Sequence, residues 1–86
     1  MGYKAENKYK MRIDKNKLDE YIQKAGYSSY RAFFDELKED YELGVDYKNF
    51  MALVYGYTNW YLIYADAILD KLNIDYKELF YKEKIT

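Results

Sequence analysis

The chain has 86 residues, enough for one small domain near the lower size at which a hydrophobic core is self-supporting. It contains no histidine and no cysteine, which excludes the commonest general base, disulfide bonds and thiolate metal sites. We therefore expect no enzyme activity, no cofactor, no bound metal and no small-molecule substrate. The longest apolar run, WYLIYADAILDKL, is interrupted by Asp66 and Asp70, so we expect no membrane span and a cytoplasmic protein.

The formal net charge of −1 is unevenly distributed along the chain. Residues 1–17 carry six basic side chains and two acidic ones, whereas residues 18–46 carry three basic and eight acidic ones. This asymmetry predicts a basic N-terminal arm over residues 1–12, followed by a single helical domain over residues 13–86.

Apolar residues repeat with helical spacing through most of that domain, and no window alternates convincingly with period two. Glycines and capping residues divide the pattern into five helices. The first runs from an Asp14 cap to Gly26, the second from Ser28 or Ser29 to Gly44, the third from Asp46 to Gly56, the fourth from Thr58 or Asn59 to Asn73, and the fifth begins with an Asp75/Glu78 capping box. The sequence therefore predicts an all-α fold.

Residues 44–80 resemble the helix-turn-helix domain of the Cro and phage-repressor family. The resemblance rests on a run of spacings that continues through LIYADAILDKLNIDYKELF and includes Gly44, Val45, Asp46, Phe50, Leu53 and Gly56. It implies a five-helix, lambda-repressor-like domain in which Gly44 takes a positive φ at a sharp turn. The implied function is sequence-specific, non-enzymatic transcription regulation in a phage or mobile element, by a homodimer bound to double-stranded DNA.

Specific DNA contacts follow from the resemblance. It implies that the third helix faces the major groove with Tyr47, Lys48, Asn49 and Ala52. The basic arm has two open interpretations: it follows phosphates or enters the minor groove, or it is a frayed or edge segment whose lysines aid solubility. In the first interpretation, the arm's contacts are Lys4, Lys8, Lys10 and Arg12.

Two departures from the family pattern favour a second function. The helix before Gly44 is about two turns longer than in the family, and its added stretch is acidic, which opposes binding to phosphates. The alternative is a protein-binding inhibitor that imitates nucleic acid, with Glu39, Asp40, Tyr41 and Tyr47 facing a basic partner. A further departure is Trp60, which stands where the family usually has proline. We expect Trp60, Tyr61 and Tyr64 to form an aromatic patch that is either a protein contact surface or core under the arm.

The dimer contact is expected from one of two regions. One is the Trp60/Tyr64 patch, and the other is the C-terminal FYKEKIT, with Phe80, Tyr81 and Ile85. Two acidic pairs spaced four residues apart, Asp66/Asp70 and Asp35/Glu39, are in principle able to share a proton or a divalent ion. Without further converging ligands, we interpret both pairs as solvated helix faces.

Overall fold

The structure is a computed structural model, and it describes residues 9–58 and 60–84. Five helices lie between two short strands, so the described part of the chain is mostly helical. In chain order the elements are β1 (Tyr9–Ile13), α1 (Lys15–Lys24), α2 (Tyr30–Tyr41), α3 (Tyr47–Val54), α4 (Leu62–Leu72), α5 (Tyr76–Leu79) and β2 (Phe80–Lys84).

The first three helices begin where short polar side chains were expected to cap them. The carboxylate of Asp14 accepts a hydrogen bond from the backbone N–H of Lys17, and Ser29 Oγ accepts one from Ala32. Asp46 caps α3 in the same way. Because each bond spans only three residues, the sequence alone was sufficient to locate these starts.

The later helix starts differ from expectation. Helix α4 begins at Leu62 behind Tyr61, without a side-chain cap, rather than near Thr58. The predicted capping box at the start of α5 does not form, because the side chain of Asp75 accepts no hydrogen bond from a backbone N–H at the start of the helix. The carboxylate of Glu78 instead accepts a hydrogen bond from the Tyr21 hydroxyl at 3.2 Å, which joins α5 to α1.

The turn between α2 and α3 also differs from the family pattern. Gly26 and Gly56 adopt positive φ angles of 92° and 83°, but Gly44 does not. The left-handed residue of this turn is Glu42, with φ 52°, and the next backbone N–H, from Leu43, bonds to the carbonyl of Lys38. The chain has therefore already turned before it reaches Gly44, and the predicted hinge at this glycine is wrong.

The two strands correct the prediction of an all-α fold. They form an antiparallel two-stranded sheet in which Ile13 is opposite Phe80 and Lys10 is opposite Glu83. The Ile13–Phe80 pair is buried and Met11 packs against the core. Apolar and basic residues alternate along β1, YKMRI, so the expectation that no stretch alternates with period two was wrong here, whereas β2 is exposed beyond Phe80 and does not alternate. Residues 9–12, predicted as part of the basic arm, belong to this strand, and residues 1–8 lie outside the described residues.

The apolar faces of the helices meet in one core, where α2 packs against both α3 and α4. All five helices contribute to its largest fully buried side chains, which are Leu18, Phe33, Leu37, Phe50, Ile68 and Leu79. No helix among the described residues combines the length and apolar character needed to cross a membrane. The core holds α3 at the surface with one side free.

Candidate nucleic-acid interface

Helix α3 is fixed to the core by its apolar side. Phe50, Leu53 and Val54 are buried, and Phe50 packs against Phe34 of α2 with ring centroids 5.0 Å apart. At the start of the helix, the carboxylate of Asp46 accepts the Asn49 N–H at 2.8 Å. This arrangement leaves a defined outer edge on α3, which is the expected position of a recognition surface.

Three of the four predicted base-reading residues lie along that edge. Lys48 and Asn49 are exposed, and Ala52 is half-buried one turn further along. Tyr47 differs, because its ring packs 5.5 Å from the Phe34 ring, measured between centroids, and is covered by the Arg31 guanidinium at 4.9 Å. Tyr47 therefore helps to fix α3 against α2 and is only half-exposed.

The end of α3 is held by side chains from β1. Lys10 Nζ donates to the carbonyl of Gly56 at 3.1 Å, and the guanidinium of Arg12 reaches the carbonyl of Tyr55 at 3.5 Å. Arg12 also pairs with Glu83 across the sheet at 2.9 Å. Cations near the carbonyl end of a helix are favourable. Lys10 and Arg12, predicted as parts of a flexible arm, are thus ordered in a strand beside α3, while Lys4 and Lys8 lie outside the described residues.

Two further cations flank α3, and the sequence reasoning did not select them. Lys15 Nζ lies 5.5 Å from the centroid of the Tyr55 ring, and Arg31 covers Tyr47. Each forms an exposed or partly exposed pair with an acid four residues later on its own helix. Such pairs contribute at most about 1 kcal/mol, so phosphate oxygens can compete for these cations. Arg31 and Lys38 are seven residues apart, which puts both on one side of α2. This spacing could have indicated from the sequence that α2 has a basic side.

The acidic stretch that argued against DNA binding is directed partly away from α3. Glu36 and Asp40 lie on the α4 side of α2, where both carboxylates accept hydrogen bonds from Lys71, the Glu36 contact at 2.6 Å. These bonds raise the pKa of Lys71 and, together with the Tyr27 hydroxyl, lower the pKa of Glu36. On the α3 side, Asp35 is bonded to Arg31. Three acidic side chains of α2 are therefore paired with basic ones, and two of these three lie on the side that faces α4.

Two residues predicted to contact a protein partner are buried. Trp60 is 8% exposed and Phe80 is 4% exposed, and their rings meet edge to face with centroids 5.1 Å apart. Trp60 is therefore part of the core, packed against Phe80, and both residues must be removed from the candidate interface. The indole Nε1 of Trp60 has no hydrogen-bond partner in the described part of the chain.

The other predicted interface residues remain wholly or partly accessible. Tyr81 on β2 and Glu39 on α2 are exposed, while Tyr64 is half-buried and meets Tyr61 edge to face. Asp40 is exposed but paired with Lys71, and Tyr41 is half-buried with its hydroxyl bonded to Asp70. Ile85 lies outside the described residues. These positions lie on different elements rather than in one predicted patch.

A recess of about 320 Å³ separates the outer edge of α3 from the start of α4. Asn49 lines it on one side, and Tyr61 and Tyr64 line it on the other. Tyr57 and Tyr61 are 79% and 66% exposed. The candidate surface therefore has exposed tyrosines towards α4, and the cations Lys15 and Arg31 on the side of α1 and α2. Tyrosines supply apolar contact area together with a hydroxyl that can bond to phosphate oxygens.

No group of three or more acidic side chains within residues 9–58 and 60–84 is arranged to hold a metal ion. Comparison of the chain with protein-family models, with curated proteins and with solved structures found no match.

Proposed function

We propose that the protein is a non-enzymatic regulator that binds double-stranded DNA in a sequence-specific way through the outer edge of α3. The observation that carries this proposal is the open edge of Lys48, Asn49 and Ala52, flanked by Lys15 and Arg31. The pairing of Glu36 and Asp40 with Lys71 supports it further, since it withdraws two acidic charges from this side.

The dimensions of α3 suit a DNA groove. An α-helix with its side chains is about 10–12 Å in diameter, which matches the width of the major groove, about 12 Å. In the proposed complex the amide of Asn49 pairs with adenine, Lys48 contacts guanine or phosphate, and Ala52 contacts a thymine methyl group. Lys15 and Arg31 bind the flanking phosphates and fix the orientation of the helix.

The proposed mechanism is occupancy of the DNA. A cytoplasmic homodimer bound to a two-fold operator blocks or recruits polymerase and performs no chemistry. With Trp60 and Phe80 buried, Tyr81 is the exposed member of the described C-terminal candidates for the dimer contact. The phage or mobile-element setting follows from the helix-turn-helix resemblance.

Selection from random duplexes followed by salt titration tests the proposal. The protein should enrich a defined sequence, and its affinity for that duplex should fall between about 50 and 200 mM salt with a log-log slope of about −0.9 for each phosphate neutralised. Lys48→Gln should weaken binding, because it removes the exposed cation of the reading edge. The matched control is Lys77→Gln, an exposed lysine on α5.

The salt slope also identifies what Lys48 contacts. A slope that becomes shallower by about 0.9 in Lys48→Gln indicates a lost phosphate contact. An unchanged slope with a changed base preference indicates a lost contact to a base edge. Selection that enriches no sequence, or equal affinities of the two glutamine variants, would refute the proposal.

The alternative, a nucleic-acid mimic built on residues 35–46, has less support. Lys71 neutralises two of the acids in that stretch, and Tyr47 packs against Phe34 instead of extending outward.

A further inference from the structure

An open groove of about 740 Å³ is formed by the end of α2, the outer face of α4 and the start of α5. Leu43, Leu69 and Ile74 contribute apolar walls, and Asp66, Asp75 and Glu78 contribute carboxylates. None of the residues along the reading edge of α3 lines it. The groove is therefore a second surface, with chemistry of its own.

The charge of this groove has one sign. Four acidic side chains line it, the fourth being Asp70, and no lysine or arginine does so among the described residues. Asp70 and Glu78 accept hydrogen bonds from the hydroxyls of Tyr41 and Tyr21, which are neutral donors and leave the negative charge in place. The hydrogen bond to Asp70, followed by burial and the Asp70 charge, raises the pKa of the Tyr41 hydroxyl.

Two carboxylates of the groove have no partner among the residues that the structure describes. Asp66 and Asp75 make no side-chain hydrogen bond or ion pair within the part of the chain that the structure describes, and both are exposed. Lys71 lies on the same helix as Asp66 but is bonded to Glu36 and Asp40 on α2. The groove thus offers unpaired negative charge beside apolar walls.

The start of α4 carries two exposed aliphatic side chains, in addition to the carboxylates of its outer face. Leu62 and Ile63 are 69% and 66% exposed, and Ile63 lines the groove. On the opposite side of α4, Ala65 and Ile68 are buried in the core. A surface helix normally has one apolar face, so exposed aliphatic residues on its second face indicate a binding surface.

We propose that this groove docks a basic amphipathic helix of a partner protein. The apolar walls take the aliphatic anchors of such a helix, and the acidic side chains pair with lysines or arginines beside those anchors. A nucleic acid is excluded because its phosphates would face the four carboxylates. This inference does not depend on DNA binding by α3.

A labelled model peptide tests the chemistry directly. The probe is a fluorescein-labelled 14-residue synthetic helix with leucines on one face and lysines on either side of them, and the control peptide has glutamate in place of each lysine. Fluorescence anisotropy should show binding of the lysine peptide alone. Backbone NMR shifts should be confined to the groove residues, which are Tyr41, Leu43 and those lining it between Ile63 and Glu78.

Variants at exposed positions separate the two parts of the groove. Asp66→Asn combined with Asp75→Asn removes the unpaired charges, and Ile63→Ser removes the exposed apolar contact. Each change should lower the affinity for the lysine peptide by about tenfold, which is the effect expected from the loss of two exposed ion pairs or of one apolar anchor. Glu20→Gln combined with Glu39→Gln removes the same number of exposed charges outside the groove and should change the affinity less than about twofold.

Several results would overturn the inference. Equal binding of the glutamate peptide, NMR shifts outside the groove, or equal weakening by the Glu20/Glu39 control would each show that the groove does not select a basic helix. Self-association of the wild-type chain that Ile63→Ser abolishes would show that a second copy occupies the groove. Circular dichroism of each variant confirms that the fold is retained.

Discussion

Three glycines provide a graded test of the backbone geometry around α3. Gly56 follows α3 with φ 83°, and a methyl group added there would lie 2.5 Å from Arg12 Nε. Gly26 has a similar φ of 92°, but an added methyl group meets nothing within 4 Å. Gly44 has neither constraint. Replacement of each glycine by alanine therefore separates backbone strain from the contact with Arg12.

The expected energies follow from these differences. Alanine at a positive φ costs roughly 1–2 kcal/mol, offset by about 0.4–1 kcal/mol because the unfolded chain becomes less flexible. Gly26→Ala should thus destabilise by about 1 kcal/mol. Gly56→Ala should destabilise by about 2 kcal/mol, since Arg12 must also leave its exposed pair with Glu83 and its contact with the Tyr55 carbonyl. Gly44→Ala should be neutral or stabilising by up to about 0.5 kcal/mol.

Thermal and urea unfolding, followed by circular dichroism, measure these differences. In a domain of this size 1 kcal/mol corresponds to about 4–8 °C in Tm, so Gly56→Ala should lower Tm by roughly 10 °C and Gly26→Ala by roughly 5 °C. A double-mutant cycle with Arg12→Ala isolates the contact. In the Arg12→Ala background, the effect of Gly56→Ala should fall to that of Gly26→Ala.

Two results would refute this reasoning. If Gly44→Ala were the most destabilising of the three, the turn between α2 and α3 would depend on Gly44, as the family pattern predicts, rather than on Glu42. If the cost of Gly56→Ala were the same with and without Arg12, the guanidinium would not be what holds the end of α3.

Three further predictions concern the core, the ion pairs and the arm. Phe50→Ala should destabilise the fold by about 3–5 kcal/mol in urea unfolding, because Phe50 is fully buried between α2 and α3. The lowered pKa of Glu36 means that its stabilisation is present above about pH 4.5 and is lost on acidification, so Glu36→Gln should flatten the fall in stability between about pH 6 and 3. An equally steep fall in Glu36→Gln would show that other carboxylates control it. Deletion of residues 1–8 removes Lys4 and Lys8 but leaves β1 in place, so it should reduce affinity for all duplexes and make the salt slope shallower by up to about 1.8. An unchanged slope would favour the interpretation of these lysines as solubility residues.

Local sequence signals determined where most helices begin and end. Asp14, Ser29 and Asp46 cap the first three helices, and Asn73 ends α4 in the left-handed conformation. These features depend on contacts within a few residues, so their chemistry can be read along the chain. The same is true of the apolar side of α3, whose helical spacing correctly identified Phe50 as part of the core.

The candidate site was only partly predictable for the same reason. Helical spacing put Lys48 and Asn49 on the outer edge of α3, and both are exposed. It did not show that Tyr47 would pack under Arg31, because that contact joins two helices whose relative position the sequence does not specify. The direction of the acidic side chains on α2 likewise depended on Lys71, which is 35 residues from Glu36 along the chain.

Tertiary structure alone decided the remaining features. The pairing of β1 with β2 joins Arg12 to Glu83 across 71 residues, and among the strand residues whose burial the structure describes, only Ile13 and Phe80 belong to the buried core. Trp60 is buried because this sheet brings the Phe80 ring against it. Sequence periodicity detects a face that repeats within one element, whereas these contacts bring together residues far apart in the chain. The helices could therefore be predicted from the sequence, whereas the pairing of the strands and the surroundings of both candidate surfaces required the folded chain.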